Sequence, residues 1–105
     1  MSRDPLVLIK VKTVLEQISQ LAPGHAVELR IPPYAAIQCC TGPKHTRGTP
    51  PNVVEMSAAV LFGLLEGSID WADGIDDGRI TASGERSDLS QMLQVAAQTI
   101  RPTDN

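Results

Sequence analysis

Residues 53–84, VVEMSAAVLFGLLEGSIDWADGIDDGRITASG, decide the fold, because their punctuation divides them into four short elements. Val53 to Met56 has the β-branched start of a strand. Ser57 is placed to cap a helix over Ala58 to Glu66, where Leu61, Leu64 and Leu65 make the buried side. Gly67 stops that helix. Asp70 is expected to cap a second, short helix by accepting from the backbone near Asp73, and Gly78 to close it in a left-handed conformation. Ile69, Trp71, Ala72 and Ile75 are its apolar members. Ile80, Ala82 and Gly84 then alternate with Thr81, Ser83 and Glu85, the period of a strand with one wet face.

Outward from this block, Ser87 or Asp88 caps a last helix with Leu89, Met92, Leu93, Ala96 and Ile100 on its inner face, and Pro102 ends it. Upstream, Asp4 and Pro5 open the first helix, the acid as cap and the proline at the first helical position. Val7, Val11, Val14, Leu15, Ile18 and Leu21 recur at helical spacing until Pro23-Gly24. Val27, Leu29 and Ile31 alternate with polar neighbours as a strand. Pro32-Pro33-Tyr34 turns the chain, and Ala35 to Cys40 reads as an antiparallel second strand. Cys39 and Cys40, as neighbours in a strand, are expected to point to opposite faces.

These elements predict one α+β domain over residues 1–105: a small, mainly antiparallel sheet of four to five strands covered by about four helices. Residues 1–4 and 102–105 are expected to fray.

Composition narrows the function classes. Hydrophobic residues are 42% of the chain, enough for a packed core, but aromatics are 3% and the net charge is −3. Single-stranded nucleic acid needs a stacking platform and phosphates need a basic surplus, so no nucleic-acid partner is expected. The longest apolar run, Ala58 to Leu65, is far short of a membrane span, and no signal peptide is visible. Two reduced thiols in a cytoplasmic protein is the expectation for Cys39 and Cys40.

Most of the polar chemistry lies in residues 42–52, GPKHTRGTPPN. Lys44, His45 and Arg47 among glycines and threonines could converge on an anion such as an acyl carboxylate or a phosphate. The more ordinary reading is that Arg47 and His45 pair with Glu55 or with aspartates of the domain and pin the loop. Cys39, Cys40 and His45 fall short of four zinc ligands, with His25 the only other imidazole, so no metal and no cofactor are expected. The acidic run Asp70, Asp73, Asp76 and Asp77 lacks the pattern of a calcium loop and reads as a solvated face. Trp71 reads as a staple between helix and sheet.

At Gly67-Ser68-Ile69-Asp70, Gly78-Arg79-Ile80, Ser83-Gly84-Glu85 and Asp88-Leu89 the chain resembles the C-terminal half of the sterol carrier protein family. The 42–55 stretch and Pro32 to Cys39 are similar to its bacterial sterol-carrier-like branch, and the resemblance covers about Pro23 to Leu93. It implies an apolar tunnel between sheet and helices that holds sterols, fatty acids or acyl thioesters. The same fold serves elsewhere as an accessory module beside catalytic domains.

Combined with the residues, this gives a non-catalytic carrier of an acyl or sterol-like ligand. The ligand's apolar part would lie against Leu61, Leu65, Ile80 and Met92, from the stripes Leu61/Leu64/Leu65 and Leu89/Met92/Leu93. Lys44, His45 or Arg47 would meet the polar end. The alternatives are an interaction module with a solid core, dimerising or docking a partner protein through the 42–52 loop, and a small thiol-dependent enzyme using Cys39 or Cys40.

Overall fold

The computed structural model describes residues 3–42 and 52–100. Its first helix, α1 (Pro5–Leu21), starts as the Asp4-Pro5 pair dictates: the Asp4 carboxylate accepts from the N–H groups of Leu6 at 2.9 Å and Val7 at 3.4 Å. Proline at the first position costs nothing there, because that N–H has no partner inside a helix. Val11, Val14, Leu15 and Ile18 are buried, one face of the 3.6-residue repeat.

β1 (Val27–Ile31) and β2 (Ala35–Cys39) form an antiparallel hairpin around the turn at 32–34, where Tyr34 N–H donates to the Ile31 carbonyl at 2.8 Å. β3 (Val53–Met56) then pairs with β1 on its other edge, in parallel, with Leu29 opposite Val54. α2 (Ala58–Glu66) and α3 (Trp71–Asp76) return the chain to β4 (Ile80–Ser83), which pairs antiparallel to β3. The sheet order is β2-β1-β3-β4, and two of the three pairings are antiparallel. α4 (Ser90–Thr99) closes the described chain. This is the α+β arrangement read from the sequence, with four strands and four helices among the described residues.

One face of the sheet is dry. Val27, Leu29, Ile31, Cys39, Val54, Met56 and Ile80 are buried there with the inner faces of α1, α2 and α4. On the other face Arg30 lies in register between Ala36 and Glu55, and its guanidinium pairs with Glu28. Ala82, expected inside by alternation, is exposed although it pairs with buried Val54. β4 is an edge strand, and only Ile80 of its four residues is buried.

Local signals placed several boundaries. Ser57 Oγ accepts from Val60 N–H at 3.2 Å, Gly67 ends α2 at φ +84°, and Gly78 follows α3 at φ +83°. Three further readings need correction. Neither Ser87 nor Asp88 holds the N-cap of α4: Leu89 does, without a side-chain bond, although Asp88 Oδ1 accepts from Ser90 N–H at 2.9 Å. Asp70 stands at the N-cap of α3 and its carbonyl accepts from Gly74 N–H at 3.0 Å, but its side chain makes no capping bond and lines the cleft between α2, α3 and α4 instead. The cysteines do not point apart. β2 ends at Cys39, and Cys40 turns into the left-handed region at φ +70°, which leaves the two sulfurs 3.7 Å apart.

Asn52 is the buried polar joint of the sheet. Its amide nitrogen donates to the Ala26 carbonyl at 2.7 Å, and its amide oxygen accepts from Arg86 N–H at 2.9 Å. The entrances to β1, β3 and α4 are thereby tied together.

Candidate functional site

α2 and α4 pack against each other, but the link between α2 and α3 keeps the lower part of that seam open. Gly63 makes the link possible. A Cβ there would fall 2.5 Å from Ile69 Cδ1, while its carbonyl accepts from Ser68 N–H at 2.9 Å and Ile69 N–H at 3.1 Å. The tight closure of α2 at Gly67 then brings Ile69, Asp70 and Trp71 round to face α4.

The result is a cleft of about 660 Å³, open to solvent rather than enclosed. Its apolar lining includes Leu64 of α2, Ile69 of the link, Trp71 of α3, and Leu93 and Ala97 of α4. Its polar lining is two carboxylates, Asp70 and Asp88, the side-chain amides of Gln94 and Gln98, and Ser90. Ser90, by its side chain first and its N–H second, holds the Asp88 carboxyl below its usual range; the N–H donates to Asp88 Oδ1 at 2.9 Å. Asp88 is therefore an anion at neutral pH. The volume lies within the range of small-molecule pockets, and the wall is about equally polar and apolar, which suits an amphipathic ligand better than a wholly apolar one.

A second, smaller cleft of about 480 Å³ lies between α1 and the edge strand β2, beside Lys12, Leu15, Glu16 and Ala35 to Ile37. It has fewer polar groups on which to orient a ligand.

Of the residues predicted to hold a ligand, Leu61, Leu65 and Ile80 are buried in the core, and Met92 is half-buried against it. None of the four lines the larger cleft. Their neighbours in the same stripes, Leu64 and Leu93, do. Lys44, His45 and Arg47 lie outside the described residues. Trp71, read as a staple, is half-buried and forms part of the wall. The sequence reading missed Ile69, Asp88, Ser90, Gln94 and Gln98 as lining, and it used Asp70 as a cap and as part of a solvated acidic face. The available signal was the polar edge of α4, Gln94 and Gln98, one helical turn apart and beside the Leu93/Ala97 pair.

Among the described residues no three His, Cys, Asp or Glu side chains gather as a metal-ligand set. His25 Nδ1 instead donates to Gln38 Oε1 at 2.7 Å. No described helix is long and apolar enough to cross a membrane.

No curated protein matches the chain. The sequence model of one family, described as "Bacterial SCP ortholog", matches residues 3–95. That span takes in α1, the whole sheet and the first half of α4, so the match concerns the fold just described and not an isolated motif. The chain belongs to this bacterial sterol-carrier-like family.

Proposed function

We propose that this protein binds a small amphipathic ligand, acyl or sterol-like, in the cleft between α2, α3 and α4, and releases it chemically unchanged. The observation that supports the reading most is the cleft itself: a single-domain core of few aromatics leaves Leu64, Ile69, Trp71 and Leu93 around an open volume instead of closing over it. Burial of an acyl or ring portion there gains roughly 25 cal/mol per Å² of apolar surface removed from water. The amides of Gln94 and Gln98 can orient hydroxyl, ester or amide groups. In the same reading Lys44, His45 and Arg47 are the proposed partners of an anionic end. Family membership supports a lipid-type ligand as a class. Carriage is assigned to the cytoplasm, a reducing compartment that suits two free thiols.

Native mass spectrometry of protein purified from its own cell type tests this. A co-purifying small molecule, or a thermal shift with long-chain acyl ligands, is expected. Repeated absence of both would end the carrier reading.

A second reading has its own observation. Leu6 is 77% and Ile9 62% exposed on α1, and the core under the sheet is solid at Leu61, Leu65 and Ile80. An interaction module would use such a surface or the 42–52 loop. Sedimentation at two concentrations separates the two readings, because only the module predicts concentration-dependent assembly.

A further inference from the structure

Cys39 and Cys40 are nucleophilic, lie side by side, and take no part in the ligand reading above. Consecutive strand residues send their side chains to opposite faces, so sulfur contact between them requires a break in the strand. That break is built from three sides. Cys40 N–H donates to the Ala22 carbonyl at 2.8 Å, and its carbonyl accepts from Ala26 N–H at 3.1 Å. Gly24 passes so close that a Cβ there would fall 2.0 Å from the Cys40 carbonyl oxygen. Cys40 is thus held at φ +70°, a conformation L-residues seldom adopt, with its sulfur 3.7 Å from that of Cys39.

We propose that Cys39 and Cys40 form a two-sulfur site for a soft trivalent centre of the monosubstituted arsenic(III) class. The spacing selects the geometry. A trivalent centre with a lone pair is pyramidal, so with bonds of about 2.3 Å meeting a little above a right angle its two sulfurs stand about 3.3–3.5 Å apart, against about 4.6 Å in a line. The observed 3.7 Å is close to the bent arrangement and far from the linear one that two-coordinate copper(I) or mercury(II) adopts. A centre that needs four protein ligands finds no third His, Cys, Asp or Glu with this pair among the described residues. A monosubstituted arsenic(III) needs only two sulfurs, since carbon already occupies its third position. Thiolates are the matching soft ligands.

Access is one-sided, because Cys39 is fully buried and Cys40 half-buried. The Cys40 sulfur attacks first, forming an arsenic–sulfur bond while the arsenic-bound oxygen takes up one proton. The Cys39 sulfur then displaces that oxygen, and its proton leaves with it as water. Two thiols are consumed, one water is released, and arsenic stays trivalent throughout. The order of attack agrees with the acidities. The hydrogen bond from Cys39 brings the Cys40 thiol down to about 7 against the opposing effect of burial. The same bond, with burial, pushes the Cys39 thiol up, so Cys39 enters as the proton donor.

The test is intact-mass analysis of the folded protein after one equivalent of phenylarsine oxide. Expected is a gain of one phenylarsenic unit less two hydrogens, with both thiols blocked to maleimide. The adduct should survive excess 2-mercaptoethanol and be removed by dithiothreitol. Cys40→Ser, which leaves the buried Cys39 in place, should lose that survival completely. Circular dichroism confirms that each sample is folded. No adduct on the folded protein, an adduct formed only in denaturant, or equal survival in Cys40→Ser would each overturn the proposal.

Discussion

Asn52 shows how much one side chain can organise. Its amide satisfies the buried Ala26 carbonyl and the part-buried Arg86 N–H, so removal leaves both without a partner, the first in a place water reaches poorly. Asn52→Ala is expected to cost about 1–3 kcal/mol, the usual penalty for stranding buried polar groups. Urea denaturation measures it; a change within error would show that solvent replaces both bonds. At Cys40 the expectation is kinetic. Iodoacetamide should label it with a rate that rises through pH of about 7, since only the thiolate reacts. Cys39→Ala removes the S–H that favours the thiolate, so the midpoint should move up towards the ordinary thiol range. An unmoved midpoint would mean that Cys39 has no part in the acidity. Neither residue was legible in the sequence. Asn52 stood at the end of a loop with no sign of its partners, and the left-handed turn at Cys40 is set by Ala22, Gly24 and Ala26, which are remote along the chain.

At the scale of elements the sequence was far more readable, because caps and stops are local. Asp4-Pro5, Ser57, Gly67 and Gly78 each mark the boundary their chemistry suggests. Ser57→Ala should cost about 1 kcal/mol, the typical worth of a helix N-cap, read as a lower denaturation midpoint with an unchanged slope. Asp70 occupies the cap position without making the capping bond, and its side chain lines the cleft. The helix stripes gave most of the buried faces, with Leu21 of α1 and Ile75 of α3 exposed instead, but not which of their residues would face the cleft. Leu61 and Leu64 lie on the same helix, yet one points into the sheet and the other into the seam with α4. Their substitutions should therefore separate stability from binding. Leu61→Ala is expected to cost about 2–5 kcal/mol of stability. Leu64→Trp should fill the cleft, abolishing ligand binding while the fold persists. Calorimetry alongside thermal denaturation distinguishes them, and full binding by Leu64→Trp would remove the cleft from consideration.

For the whole molecule, the layers followed from the order of elements, whereas the parallel β1–β3 pairing did not. Nothing between Cys39 and Val53 says on which edge of the hairpin β3 will settle; that depends on Leu29 meeting Val54 and on Asn52 reaching Ala26. The cleft has the same origin. It is left over when α2, α3 and α4 each bury their best face, and only the assembled helices reveal it. Trp71 is the chain's single tryptophan and stands in the wall of that cleft, so its emission reports on the cleft alone. Titration with a brominated long-chain acyl ligand, with affinity followed in parallel by calorimetry, is the most direct measurement. Saturable quenching of Trp71 at the calorimetric affinity is predicted. Calorimetric binding that leaves Trp71 emission unchanged, or no binding at all, would contradict a ligand held between α2, α3 and α4.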